Sequence, residues 1–380
     1  MKTNRIISLV LAVLLIFSLG ITGFATDSES KVCGSNWMSA VDGKKRITAL
    51  TVPGTHDSAT ANADLNAVSK TQSLSITGQL YAGVRYFDIR LKKSGDTFYS
   101  VHSIVYNRKS VGLSAEKLTA DDIVADFRAF LEKNPGETVL MLLKEEGSST
   151  GTDFYTGFYE KYIEPEPDLW YVRNDRIPTL DECRGKIVIF RYNLVDSLKF
   201  DNSNSAISFD GYPYVNNYKT EDFVFTQVYM TRPEDETLEE PVSYAGLFVQ
   251  DSFRLPPDKK WTAVSSFLSE ERKPYWFSVC VTSSSANGSP YYNALLINSK
   301  LMNYPFEKGG LYGIISMDFA TEELCRKIYE VNVFTNEPNE AVNAPEETEH
   351  LAFLGDFVKK LRSVIFEIVA SFARSAIEKG

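Results

Sequence analysis

Residues 84–102 read VRYFDIRLKKSGDTFYSVH, and the fold class turns on how this stretch is parsed. Val84 to Leu91 is nearly continuous in apolar residues, the pattern of a strand buried on both faces, as in parallel sheets. Yet Asp88 and Arg90 sit inside it, and period-two alternation aims both charges at the same face. Strand interiors rarely hold charges unless these are paired or functional. The next run, Thr97 to His102, follows after only Ser94-Gly95-Asp96. That connection is too short for a crossover helix, so the junction is hairpin-like.

Moving outward, six more short runs rich in Val, Ile, Phe and Tyr read as strands: ITALTV from Ile47, TVLMLLK from Thr138, KIVIFRY from Lys186, GLFVQD from Gly246, WFSVCV from Trp276 and GLYGIISMDF from Gly310. Helical spacing separates most of them, at 121–132, 153–163, 261–271, 291–301 and 321–331. Thr321 opens the last of these as a helix cap. Eight strands alternating with helices predict an α/β fold, an irregular (β/α)₈ TIM barrel, made irregular by the hairpin-like junction.

Active sites in such barrels are built at the carboxyl ends of the strands. Here Pro53-Gly54 closes the first strand and delivers His56-Asp57; Asp88 and Arg90 end the second and His102 the third. Lys144, Arg191, Asp251 and Asp318 end the fourth, fifth, sixth and eighth. Two histidines and an arginine at one mouth suit phosphodiester chemistry: one imidazole removes a proton from a nucleophilic hydroxyl, the other protonates the leaving oxygen, and a guanidinium steadies the phosphoryl charge. Neighbouring carboxylates fix each ring's tautomer. The alternative for Asp88 and Arg90 is an internal salt bridge that helps fill the barrel.

Lys2 and Arg5 precede the apolar run Ile6 to Phe17, and small residues follow at Gly23 and Ala25, the three-part pattern of a secretory signal peptide over residues 1–25. The expectation is therefore a secreted protein. Formal net charge is −10, and removal of Lys2 and Arg5 takes it to −12. So acidic a chain argues against broad nucleic-acid binding, which needs basic surface to neutralise phosphates. Cys33, Cys183, Cys280 and Cys325 are far apart, with no CxxC or Cys/His spacing of a zinc site. Cys280 lies in an apolar strand and reads as core.

The barrel is expected over 26–334. Between Leu194 and Ala245 a long stretch rich in Asn, Asp, Tyr and Phe reads as a functional lid or a disordered insertion. Residues 335–349 carry Asn, Pro and Glu with little apolar content and read as a linker. In the tail, 350–380, Leu351, Leu354, Phe357, Val358, Leu361, Ile365, Ile368 and Phe372 recur at three- and four-residue steps: an amphipathic helical extension. Its apolar face suits either packing on the barrel or lying on a membrane. Tyr212, Tyr214 and Tyr218 are further candidates for membrane contact.

The chain resembles the bacterial phosphatidylinositol-specific phospholipases C. VPGTHDSAT, GQLYAGVRYFDIRL, VHS, LMLLKEE, GKIVIFRYN, GLFVQDSF and GIISMDFA stand in the family's order over roughly Ser35 to Asn332. The resemblance implies a distorted TIM barrel that cleaves phosphatidylinositol to diacylglycerol and inositol 1,2-cyclic phosphate. It implies His56 as general base oriented by Asp318, His102 as general acid supported by Asp57, Arg90 on the phosphate oxygens and Asp88 holding that region. Lys144, Arg191 and Asp251 match positions that contact inositol hydroxyls. Phe253 stands where the family often has a stacking Tyr, and VHSIVYN departs from the residues that commonly follow the second histidine. Calcium-dependent relatives carry acidic ligands at the positions of Arg90 and Lys144, so no metal and no cofactor is expected. The implied partners are a phosphatidylinositol-containing membrane surface and glycosylphosphatidylinositol anchors. Two other readings stand beside this one: metal-dependent hydrolysis of glycerophosphodiesters or sphingomyelin, which needs a carboxylate cluster, and a non-catalytic lipid-binding protein.

Overall fold

A computed structural model of the chain describes residues 32–64, 69–111, 114–146, 152–171, 177–192, 207–209, 217–219, 224–228, 257–272, 274, 276–283 and 289–345. Eight strands run parallel in chain order around a curled sheet: β1 (Val52–Thr55), β2 (Tyr86–Ser94), β5 (Val139–Glu145), β7 (Ile187–Tyr192), β8 (Ile207–Phe209), β10 (Val224–Val228), β11 (Trp276–Val281) and β12 (Ile314–Met317). Neighbours pair in parallel from β1 through β8 and from β10 back through β11 and β12 to β1. This is the α/β TIM-barrel class, with no ladder between β8 and β10 among the described residues.

Three expectations need correction. Thr97–His102 is a strand, β3, but not a barrel stave: it pairs antiparallel with β2 and carries a short partner, β4 (Val105–Tyr106). The three-residue junction leaves it no path to a parallel position. Ile47–Ala49 is a 3₁₀ turn, and the first strand starts at Val52, with Pro53 and Gly54 inside it. The β1–β2 pairing starts only at Gly54, so the missing Pro53 N–H removes no ladder bond. The stretch from Leu194 to Ala245 is not only loop: it supplies β8 and β10, with β9 (Asn217–Lys219) antiparallel to β10. A further two-residue strand, β6 (Trp170–Tyr171), pairs with the start of β7. GLFVQD, the segment expected to be a signal peptide, Tyr212, Tyr214 and the tail lie outside the described residues, as does the side chain of Tyr218.

Strand alternation sorts the core into two layers. Phe87, Ile89, Leu91, Met141, Leu143, Ile187 and Ile189 lie between sheet and helices, against Val124, Phe127 and Phe154. Val52, Tyr86, Leu140, Leu142, Val188, Phe190, Val279 and Ile314 fill the lower interior. Along the inward positions three staves grade from apolar to charged: Tyr86, Asp88, Arg90 on β2; Leu140, Leu142, Lys144 on β5; Ile314 and Ser316 on β12, with Asp318 just beyond it. The charges therefore collect at the carboxyl ends.

The opposite end is plugged. Trp37, Met38 and Val41 join the lower interior, and Trp37 Nε1 donates to Gly83 O at 2.9 Å. Arg85 and Glu137, both fully buried, pair there at 2.7 Å, and Glu137 also accepts from the backbone of Met38 and Ser39. Residues 335–342, whose composition reads as linker, sit on this plug: Thr335 N and Asn336 N donate to Ala40 O, and Val342 N donates to Ser35 Oγ. All four cysteines are free thiols, with Cys183, Cys280 and Cys325 buried.

Helices form where the spacing predicts them, at Ala120–Lys133, Thr152–Phe158, Pro257–Ser269, Pro290–Met302 and Glu322–Tyr329. Thr321 caps the last one by accepting from Leu324 N. Short helices at Ile76–Tyr81 and Leu180–Cys183 carry too few apolar repeats to show in the sequence.

Candidate active site

His56 follows β1 and Asp318 follows β12, adjacent strands whose ladder continues through His56 N to Met317 O at 3.0 Å. His56 Nδ1 lies 2.8 Å from Asp318 Oδ1, and both residues are buried. Below them Gly54 is required: a Cβ there would meet Tyr86 Cδ1 at 2.9 Å and Ile314 Cγ2 at 3.0 Å, the side chains that fill the interior.

His102 ends β3 and reaches back over the mouth, its Nδ1 held by a short hydrogen bond with Asp57 Oδ2. Its side chain is 22% exposed against 6% for His56, so the two rings differ in access to water. Arg90 spans the pair. Its Nη2 lies 2.8 Å from His56 Nε2 and 2.9 Å from Asp88 Oδ2; its Nη1 lies 3.1 Å from Asp57 Oδ2 and 3.4 Å from Glu146 Oε2. Arginine has no acceptor, so His56 Nε2 accepts, and His56 is the neutral Nδ1–H tautomer that donates to Asp318. Lys144 stands beside Arg90 in register and lies 3.7 Å from Glu146.

The charges set each group's state. Burial alone would raise the Asp57 carboxyl, but Arg90 and His102 outweigh it and hold Asp57 far below the usual range. Asp88 is likewise lowered: burial opposes ionisation and Arg90 overcomes it. Asp57 in turn raises His102 above the usual imidazole value, against burial, so His102 stays protonated to higher pH. Burial pushes Asp318 up and Lys144 down.

The backbone is aimed by strain. The only non-glycine residues with positive φ among those described are Asp57 (46°), Ser103 (57°) and Phe319 (48°), each directly after His56, His102 or Asp318. Left-handed backbone at such residues costs about 1–3 kcal/mol each and persists only where the surroundings fix it.

The structure thus brings together His56, Asp57, Asp88, Arg90, His102, Lys144 and Asp318. Asp88 and Arg90 do form the internal ion pair, and that pair is part of the site. The Arg191 backbone pairs with Leu143 and Ser208 at the end of β7; its side chain, Asp251 and Phe253 lie outside the described residues. Sequence reasoning missed Glu146. It was legible as a third charge in LKEE at the end of β5, and its Oε1 accepts from Ser103 N at 2.9 Å. Among the described residues no group of three or more His, Cys, Asp and Glu side chains has the geometry to hold a metal ion.

Apolar side chains rim the mouth. Ile104, two residues after His102, is 82% exposed. Tyr292 and Leu295, 54% and 52% exposed, stand on the Pro290–Met302 helix. That helix is moored to the site: Asn298 Nδ2 donates to Asp318 O at 2.9 Å, and the Tyr291 and Phe319 rings meet at 5.0 Å.

Residues 51–193 match the family model described as phosphatidylinositol-specific phospholipase C, X domain. The 1-phosphatidylinositol phosphodiesterase of Listeria monocytogenes is 32% identical over 188 residues, 45% of this chain and 55% of that protein. The protein of the same name from Staphylococcus aureus is 34% identical over 175 residues, 44% of this chain and 53% of that one. The chain spans about half the length of the curated relatives it matches. The solved phosphatidylinositol-specific phospholipase C from Listeria monocytogenes matches with TM-score 0.60 at 26% identity, over 80% of this chain and 100% of that one. One from Staphylococcus aureus matches at 0.61 and 23% identity, over 79% and 98%, a likeness of fold.

Proposed function

We propose, on the match of residues 51–193 to the family model described as phosphatidylinositol-specific phospholipase C, X domain, and on the geometry of the site, that this chain cleaves phosphatidylinositol to diacylglycerol and inositol 1,2-cyclic phosphate, without a metal ion, at the mouth of the barrel. The observation that carries this reading is the Arg90 guanidinium spanning two carboxylate-held histidines. His56 Nε2 takes the proton of the inositol 2-hydroxyl as that oxygen bonds to phosphorus. The bond from phosphorus to the glycerol oxygen breaks, and protonated His102 returns a proton to that oxygen. Arg90 neutralises the phosphoryl oxygens, the work of a cation, after leaving His56 Nε2. Lys144, Arg191 and Asp251 contact the inositol hydroxyls, and Phe253 stacks on the ring. A lipid surface, including one bearing glycosylphosphatidylinositol anchors, meets the apolar rim, and residues 1–25 direct export.

Phosphorus NMR of the products from phosphatidylinositol vesicles, with chelator present, tests the reading. The cyclic phosphate is expected as first product at undiminished rate. A linear phosphate from the start, or a rate that needs added calcium, would overturn it in favour of metal-dependent hydrolysis.

A further inference from the structure

Two strand ends must be held together for His56 to meet Asp318, and a residue outside both strands does this. Gln72 is 1% exposed and lies in the polar segment between the His56 turn and the Ile76–Tyr81 helix. Its Nε2 donates to His56 O at 2.9 Å, at the end of β1, and to Met317 O at 2.8 Å, at the end of β12. Its Oε1 accepts from Ala320 N at 3.3 Å, just beyond Asp318. One carboxamide thus grips the backbone beside both members of the pair.

Thr71 completes the grip. Its hydroxyl lies 3.1 Å from His56 O and 3.0 Å from Asp57 O, and its carbonyl accepts from Phe319 N at 2.6 Å. Asp57 and Phe319 are two of the three left-handed residues. So the strained turns after His56 and Asp318 are fixed by one dipeptide from a third segment, and every polar atom of the Gln72 carboxamide is spent on them. A buried amide satisfied in this way is costly to replace with an apolar group, because each carbonyl it serves loses one of its two donors and the Ala320 N–H loses its acceptor.

Resting on the function proposed above, we propose that Gln72, with Thr71, is a positioning residue: it clasps the ends of β1 and β12 and so sets the contact between the His56 imidazole and the Asp318 carboxylate. It touches no reacting atom and acts through His56.

The test uses the full chain labelled with ¹⁵N-histidine and the substitution Gln72→Met, which keeps length and removes both donors. In the parent, the His56 Nδ1 proton bonded to Asp318 gives a far-downfield resonance, identified by its loss in Asp318→Asn. Gln72→Met is expected to shift that resonance upfield or remove it. It should also lower kcat on a monomeric water-soluble inositol phosphodiester about 10²-fold, with KM changed less than about two-fold, the size of effect a displacement of about 1 Å produces. An unmoved resonance overturns the proposal, whatever the activity does, because a general loss of stability would lower activity without touching that proton alone. If Gln72→Met does not fold, Thr71→Val, which removes only the hydroxyl, is read by the same resonance and the same criterion. A parent that shows the resonance but turns over no inositol phosphodiester refutes the proposed function, and the resonance still judges the clasp.

Discussion

At the scale of single residues, the site is a chain of charges in which each member sets the next. Arg90 holds Asp57 ionised, and Asp57 holds His102 protonated. The sign of the resulting pH dependence follows. A histidine whose folded value is raised contributes stability below its unfolded value, lost as pH rises through the folded one. As the acid of the proposed reaction, His102 also sets the upper limit of the active pH range. Asp57→Asn removes the largest cause of its rise, so the basic limb of the kcat profile is expected to move to lower pH; a limb that stays in place contradicts the role of Asp57. Most of these residues were legible because a charge at a strand end is conspicuous against apolar neighbours. Gln72 and Thr71 were not. They are uncharged, sit in the polar run SKTQS, and act through backbone groups that no side-chain pattern reveals.

At the scale of elements, the hairpin of β2 and β3 was legible because Ser94-Gly95-Asp96 leaves no room for a crossover. β8 was not, since a stave of three residues inside an Asn- and Asp-rich stretch shows no apolar run long enough to read, and β10 was obscured by the polar residues around it although its own run, FVFTQVYM, has strand character. The rim was also hidden, for Ile104 and Leu295 become neighbours of the mouth only through the hairpin and the Pro290–Met302 helix. Exposed apolar side chains around a mouth mark a contact surface. The double substitution Ile104→Ser, Leu295→Ser is expected to weaken binding to phosphatidylinositol vesicles roughly tenfold or more, since each side chain fully buried in lipid is worth about 1.5–3 kcal/mol. Co-sedimentation measures this, and the loss on vesicles should exceed any loss on a monomeric soluble substrate. Unchanged vesicle binding removes the rim from the lipid contact.

At the scale of the whole molecule, the order of parallel staves followed from apolar strands separated by helical spacing, whereas the plug did not. Ala40 and Thr335 meet only because the barrel brings residues some 300 positions apart to one end, as Asn339 N and Ser39 Oγ also do. The Arg85 and Glu137 pair at its centre is buried from water and braced by the Gly34 and Leu80 carbonyls. Arg85→Met leaves Glu137 without its partner and is expected to cost about 3–5 kcal/mol of stability. Denaturant unfolding followed by tryptophan fluorescence measures it, and a cost below about 1 kcal/mol would show the plug to be dispensable.

His56 is built into the wall, between β12 on one side and β2 on the other, while His102 rides on β3, which is joined to that wall along a single edge. The two halves of the proposed chemistry therefore have unequal mechanical footing. On the proposed mechanism, ring closure would take place against a wall paired on both sides, and the departing alcohol would meet a hairpin fastened at its tip by Asp57 and Glu146. On that mechanism, such a mount would tolerate variety in what leaves while staying strict about what attacks.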